Sequence, residues 1–267
     1  MSALREFLRA HPRLAVLTGA GVSTRSGIPD YRDERGEWKR DRPVEFRPFM
    51  SDPRVRQRYW ARSSVGWPIV ARAEPNGAHR ALARLETQGI VGQLITQNVD
   101  GLHTAAGSRN VIDLHGRLDT VRCMQCRHTM PRADLQQLLL AANPAWAEVG
   151  GRVAPDGDVD IEGWDYGEFR VPECPECGGI VKPDVVFFGE NVPRERVDRA
   201  FESLAHADAL LVVGSSLMVY SGFRFAEAAA TAGKPIAAIN LGRTRADHLL
   251  ALKITAPCDE ALSEITN

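Results

Sequence analysis

Lysine is scarce in this chain. Only four of its 33 basic residues are lysine, and the basic residues are balanced by 34 acidic ones, for a formal charge of −1. A chain without a charge excess offers no electrostatic footprint for nucleic acid or an anionic membrane surface. Long apolar runs are missing as well: none reaches the roughly 18 residues that a bilayer span needs. The opening "MSALREFLRAHPRLAVLTGAG" passes from one charged amphipathic turn straight into a strand-like run. That leaves no room for a cleavable signal, so a cytoplasmic location is expected. Cysteine is sparse, with five in 267 residues, and four of the five fall into two Cys-x-x-Cys pairs. In a reducing compartment such pairs bind metal more often than they form disulfides.

What remains is ample for a large core: 44% of the residues are hydrophobic. Short apolar runs alternate with helix-patterned segments. Strands are expected at 14–18, 91–96, 111–114, 184–188, 209–214 and 235–240, with helices near 76–88, 193–206 and 221–233. Asn76 is placed to cap the first of these helices and Gly89 to end it. Continuous apolar strands between helices indicate an α/β fold, a Rossmann-like doubly wound parallel sheet. Residues 31–75, rich in Arg, Pro and aromatics, and residues 116–183, which carry the cysteine pairs and little sheet pattern, interrupt the alternation. The expected division is a nucleotide-binding domain (1–30, 76–115 and 184–267), a helical insert with a loop (31–75) and a smaller metal-binding module (116–183).

Cys123, Cys126, Cys174 and Cys177 supply four soft thiolates, the closed tetrahedral set that Zn²⁺ favours. A redox pair is the competing reading. The pairs are 47 residues apart, against roughly 15–20 in common zinc ribbons. The extra length, "GGRVAPDGDVDIEGWDYGEFRVPE", reads either as a surface loop able to cover a nearby cleft or as a passive insertion. Four thiolates fill the site, so His115 and His128 are left without a coordination position. His115 ends a strand, where open α/β sheets bind ligands, although a hydrogen-bonded core histidine fits the same pattern.

Other strand ends carry the same kind of residue. In "VLTGAGVSTRSGIPDYRD", Gly19 and Gly21 permit close backbone approach to a phosphate, and Ser23 adds a hydroxyl. Thr24 stands where the dehydrogenase fingerprint has its third glycine, which argues against simple hydride transfer. "TQNVDGLH" clusters Gln97, Asn98 and Asp100, either to hold a ribose or carboxamide or as a local Asx-turn. "VVGSSL" ends a strand with Gly214, Ser215 and Ser216, and "INLG" ends another with Asn240 and Gly242. Four polar, glycine-bearing strand ends describe a dinucleotide cleft.

"GAGVSTRSGIPDYR", "TQNVDGLH", "LHG", the paired Cys-x-x-Cys, "KPDVVFFGE", "GSSL" and "INLG" occur in the order seen in sirtuins, the NAD-dependent protein lysine deacylases. The chain resembles that family from about residue 12 to 260. "QRYWARSSVGWP", "VAPDGDV" and "SLMVYSGFRF" are similar to its class II branch, and the long gap between the cysteine pairs fits it. The arginine bias fits a GC-rich bacterial genome.

The resemblance implies that Gly19, Ala20, Gly21, Ser23, Ile28, Pro29, Asp30, Tyr31, Arg32 and a mobile segment to about Trp38 hold NAD. It implies that Gln97, Asn98, Val99 and Asp100 meet the nicotinamide and its ribose, with Asn98 and Asp100 also serving catalysis. Gly214, Ser215, Ser216, Asn240, Leu241, Gly242 and Cys258 would line the adenosine end, although a packing role for Cys258 stands beside that. His115 matches the catalytic histidine, a neutral imidazole acting as general base on a ribose hydroxyl. The implied products are lysine, nicotinamide and O-acyl-ADP-ribose, the implied partners are proteins carrying acyl-lysine, and one Zn²⁺ would be structural. Tyr59 and Arg62, spaced i, i+3, look like the Tyr-x-x-Arg of the desuccinylase branch, where a guanidinium fork takes an acidic acyl group. A solvent-facing arginine is the plainer alternative. A mono-ADP-ribosyltransferase could use the same NAD cleft. A zinc-ribbon binding module is the third reading, and it finds no use for the glycine loop or His115.

Overall fold

The computed structural model describes residues 3–39, 43–150, 152–153, 159–161 and 163–266. Its main sheet has six parallel strands: β1 (Leu14–Thr18), β2 (Val91–Thr96), β3 (Val111–Asp113), β9 (Ala209–Val213), β10 (Ile236–Ile239) and β11 (Leu252–Ile254). Their spatial order is β11-β10-β9-β1-β2-β3, so the chain runs outward from β1 to one edge and then returns to build the other. That is the doubly wound arrangement expected from the alternation of apolar runs and helices.

Every residue of β1, β9 and β10 is buried, and the pleat sends alternate side chains into two cores. Leu14, Val16, Leu211 and Ile239 pack on one face with Leu82 of α4 (Gly77–Thr87), Leu4 of α1 (Ala3–Ala10) and Leu262 of α9 (Cys258–Thr266). Ala15, Leu17, Leu210 and Val212 pack on the other with Leu204 of α7 (Arg194–His206) and Phe225 of α8 (Tyr220–Thr231). A strand covered on both faces has no polar side to show, which is why these runs are continuously apolar. Asn76 caps α4, accepting from Ala78 N, and Gly89 follows the helix at φ +77°.

The segment between β3 and α7 departs from expectation. A strand in the parallel sheet is expected at 184–188; the strand is β8 (Val181–Val185), and it pairs antiparallel with β4 (Gly116–Cys123) in a separate sheet completed by β5 (Thr129–Pro131). The run is apolar because Val181, Val185 and Phe187 enter a third core, not because it lies inside the main sheet. Residues 116–183 therefore hold more sheet than their pattern suggests. In β4 the inward Leu118 and Val121 are separated by Asp119 and Thr120 rather than by strict alternation, and the register shifts between Arg117 and Val121.

The third core also takes Phe49 of α2 (Phe46–Ser51), Tyr59 and Trp60 of α3 (Pro53–Ala71), Leu102 of α5 (Leu102–Ala105) and Leu135 and Leu139 of α6 (Arg132–Ala142). Among the described residues of the long stretch between the cysteine pairs, the hairpin β6 (Arg152–Val153) and β7 (Val159–Asp160) lies against α3. Arg62 Nε donates to Val159 O at 2.7 Å, and Gln57 Nε2 donates to the carbonyls of Gly167 and Phe169. Residues 154–158 lie outside the described residues. Among the described residues no helix is long and apolar enough to cross a membrane.

The two sheets meet at Gly116. Its φ is +84°, and a Cβ there would overlap the Asp184 carbonyl oxygen. Both effects penalise any side chain. Gly116→Ala is expected to lower stability by at least about 2 kcal/mol, read as a fall in the denaturant midpoint.

A candidate nucleotide cleft beside a four-cysteine centre

The sheet order reverses between β1 and β9, and the C-terminal ends of β1, β2, β9 and β10 open there into a cavity of about 380 Å³. Backbone packs on backbone at its floor. Gly21 N donates to Gly214 O at 2.9 Å, and a Cβ on Gly21 would stand 2.9 Å from that oxygen. Gly214 sits at φ +62°, where a Cβ would overlap Val22 N. Side chains at either place would push the β1 and β9 loops apart.

A buried polar network fixes the next layer. Ser23 Oγ donates to Asp100 Oδ2 at 2.7 Å and accepts from Asn98 Nδ2 at 3.0 Å. His79 lies behind Ser23. Its Nδ1 accepts from Asn76 N in the capping box, so its Nε2–H points to Ser23 Oγ, 3.4 Å away. Thr18 Oγ1 donates to Thr96 Oγ1, which also accepts from Asn98 N, and His103 Nε2 meets Thr18 Oγ1 at 2.9 Å. Gln97 Nε2 donates to Ser215 Oγ at 2.8 Å, tying the β2 loop to the β9 loop. The amide and carboxylate of "TQNVD" are thus aimed from below by residues on four elements.

His115 follows β3 and lines the cavity. Its Nδ1 bonds the Gln97 carbonyl at 3.0 Å; a carbonyl only accepts, so Nδ1 carries the proton and Nε2 is the acceptor. Ser221 Oγ lies 2.8 Å from Nε2. Burial pushes the His115 pKa down to about 4, against the upward pull of the Gln97 bond and with Arg224 and Arg196 adding to the fall. The imidazole is neutral near pH 7.

The loop after the glycine turn closes the cavity from above. Ile28 and Val99 reach from the cavity wall into the third core. The Arg32 guanidinium stacks 4.0 Å over Trp38, whose ring also meets Tyr31 and Phe188. Arg243 N donates to Glu34 O at 2.8 Å, and Gly242 lies so close beneath that a Cβ would approach Glu34 Cα at 2.5 Å.

The cavity brings together Gly19, Ala20, Gly21, Ser23, Ile28, Asp30, Tyr31, Arg32 and Trp38 with Gln97, Asn98, Val99, Asp100 and His115. Gly214, Ser215, Ser216, Asn240, Leu241 and Gly242 complete that part of the wall. Four expected residues are not on it. Pro29 lines no part of it. Cys258 is buried in the core against Ile239, and burial, with Asp259 adding, pushes its thiol up to about 12. Tyr59 is buried among Phe49, Trp60 and Phe187, and Arg62, one turn on, faces the β7 carbonyl.

Val186, Phe187 and Phe188 also form cavity wall, and His79, Thr18, Thr96 and Ser221 support it, none of them among the residues expected there from the sequence. The expected strand at 184–188 hid the first group. His79 carries a sequence signal: it lies three residues after the capping Asn76, the place from which a side chain reaches back to the cap.

The four cysteines stand apart from the cavity. Their Sγ atoms lie within 4.8 Å of one another, with Cys123–Cys177 at 3.5 Å and Cys126–Cys174 at 3.7 Å. A tetrahedron of metal–sulfur bonds of about 2.3 Å has edges near 3.8 Å, so the set fits one Zn²⁺. The two knuckles are alike: Arg127 N donates to Cys123 O, and Gly178 N to Cys174 O. His115 and His128 are not among the clustered groups. Eight residues of extended chain, roughly 25 Å, carry β4 from His115 to Cys123.

A model described as "Sir2 family" matches residues 19–221. A protein of Bordetella bronchiseptica named "NAD-dependent protein deacetylase" is 64% identical over 267 residues, covering 100% of this chain and 97% of that protein. Two solved structures share the fold. One, "Sir2-p53 peptide-NAD+", has a TM-score of 0.80 at 31% identity, covering 99% of this chain and 96% of that one. The other, "Sir2 bound to acetylated peptide", has a TM-score of 0.78 at 30% identity, covering 99% and 97%.

Cys174→Ser is expected to lose its metal and melt at lower temperature, whereas His115→Ala keeps one metal per chain by elemental analysis. A second expectation comes from the buried histidines. His79 and His115 have folded pKa values lowered to about 4 from 6.5. Between those values the unfolded chain binds more protons, so stability falls as pH drops below 6.5. The loss is about 1–2 kcal/mol per histidine at pH 5, measured as denaturant midpoints at pH 7 and pH 5.

Proposed function

The chain belongs to the Sir2 family and is an NAD-dependent protein deacetylase; from that premise we propose that it acts more broadly as a lysine deacylase and that His115 is its general base. The observation that carries the second point is the tautomer: Nδ1 is committed to the Gln97 carbonyl, which leaves Nε2 of a cavity-lining imidazole to take a proton.

NAD supplies nicotinamide as a leaving group and a ribose whose hydroxyl has to lose a proton. Asn98 and Asp100, locked through Ser23, orient the nicotinamide end. The backbone at Gly19, Gly21 and Gly214 receives the phosphates at close range. Asn240, Leu241 and Gly242 take the adenosine end. Phe187 and Phe188 add apolar wall to the cavity that His115 lines. A neutral His115 accepts the hydroxyl proton, and its low pKa keeps it in that state across the physiological range. Cys123, Cys126, Cys174 and Cys177 would hold one Zn²⁺, which would cross-link the module structurally. We assign the NAD-binding part to 1–30, 76–115 and 184–267, the helical insert with its loop to 31–75 and the zinc module to 116–183. β8 straddles the second boundary.

We assign the chain to the class II branch on the resemblance of "QRYWARSSVGWP" and "SLMVYSGFRF". Acceptance of acidic acyl groups through Tyr59 and Arg62 requires Arg62 to exchange the Val159 carbonyl for a substrate carboxylate. The Arg62→Met variant then loses turnover of glutaryl-type lysine relative to acetyl-lysine; an unchanged ratio removes this pair from acyl recognition.

The main test is a panel of acetyl-, lipoyl-, succinyl- and glutaryl-lysine peptides incubated with NAD and read by mass spectrometry. Free lysine, nicotinamide and O-acyl-ADP-ribose are expected from at least one non-acetyl peptide besides the acetyl one. ADP-ribose left on protein with no acyl group lost would point to the transferase instead. His115→Ala is expected to lose turnover by about a hundredfold or more. The wild-type kcat/KM should hold below pH 6.5 and decline only toward the His115 pKa.

A further inference from the structure

One hydrogen bond at the cavity, between Ser221 and His115, has no part in the proposed NAD contacts. Ser221 is the second residue of α8, in the "SLMVYSGFRF" stretch. The helix starts at Tyr220 after Val219, which makes no side-chain cap, and its first turn is driven against the β2 loop. Gly222 is packed so tightly on Gln97 that a Cβ would overlap Gln97 Oε1. That approach delivers Ser221 Oγ to within 2.8 Å of His115 Nε2, and both residues line the cavity. Arg224 Nε donates to the Ser221 carbonyl and stiffens the same turn.

Donor and acceptor roles here are decided by chemistry. Nδ1–H is used on the Gln97 carbonyl, so Nε2 bears the lone pair and the Ser221 hydroxyl donates to it. The imidazole is gripped at both nitrogens, by a carbonyl that requires Nδ1–H and by a hydroxyl that rewards a bare Nε2. The N-terminal end of α8 adds a positive potential on the Nε2 side, which also disfavours an imidazolium.

We propose that Ser221 is a positioning residue for the reaction: its hydroxyl holds His115 in the tautomer and ring orientation that present Nε2 as the base. This rests on His115 being the general base. Ser221 acts through the imidazole, and the substrate hydroxyl takes over the Nε2 lone pair from it.

The test combines kinetics with imidazole ¹⁵N NMR of the protein without NAD. Ser221→Ala is expected to cut kcat about tenfold, the weight of one hydrogen bond, with the KM for NAD within twofold. Losing a donor to Nε2 favours protonation, so the His115 NMR midpoint and the acid limb of kcat both move to higher pH. Ser221→Thr restores both. In the His115→Ala background, Ser221→Ala has no further effect. If Ser221→Ala folds poorly, the wild-type ¹⁵N shifts decide: Nδ1 protonated and Nε2 a hydrogen-bonded acceptor supports the assignment, and a protonated Nε2 overturns it. Unchanged kcat and unchanged His115 titration in Ser221→Ala, with His115→Ala inactive, defeat this inference alone. Full turnover by His115→Ala defeats the base assignment, and this inference with it.

Discussion

The close approach of two loop backbones, after β1 and after β9, is the constraint on which the site depends. The strands pair in parallel and are buried end to end, so their loops emerge side by side. Gly21 and Gly214 let those loops touch through main chain alone. From there the other parts follow in order. Ser23 comes within reach of Asp100 and Asn98, Ser215 within reach of Gln97, and Gln97 offers its carbonyl to His115. A cavity at the switch point of a doubly wound sheet is a general consequence of topology. Its chemistry in this chain comes from how little space the two glycines leave.

The second sheet is coupled to the first through very few residues. β4 begins immediately after His115, at a glycine whose conformation and crowding admit no side chain, and the His115 carbonyl accepts from Val186 N on the segment returning from β8. One end of the three-stranded sheet is therefore held by the backbone of His115 and the other by four cysteines. A histidine eight residues ahead of a Cys-x-x-Cys pair is ambiguous in sequence. In three dimensions the extended β4 strand removes the ambiguity, because it spans the distance between the two sites.

The sequence was most informative where one physical cause acts alone. The apolar runs at 14–18 and 209–214 coincide with β1 and β9, which are buried on both faces, and the run at 91–96 coincides with β2, buried at Val91 and from Leu94 to Thr96. Spacing likewise located the cysteine cluster, since a tetrahedral ion needs two short grips. Legibility failed where one pattern has two causes. The run at 184–188 is apolar because it lines a core and a cavity, and β4 is obscured by the charged residues that link it to neighbouring loops. Cys258, expected by likeness at the adenosine end, packs against the Ile239 carbonyl and is absent from the cavity lining. Ser221 is not legible in the sequence because it meets a residue 106 positions away, and the spacing of His79 from Asn76 shows its capping contact but not its contact with Ser23.

The central claim is that NAD occupies the cavity whose floor is the Gly21–Gly214 contact. Calorimetric titration of NAD into Gly214→Ala, with bound zinc measured on the same sample, addresses it directly. The account predicts NAD affinity weakened by about tenfold or more, that is about 1.4 kcal/mol or more, as the loops part, with one zinc per chain retained. Wild-type NAD affinity in a variant that keeps its zinc would contradict it.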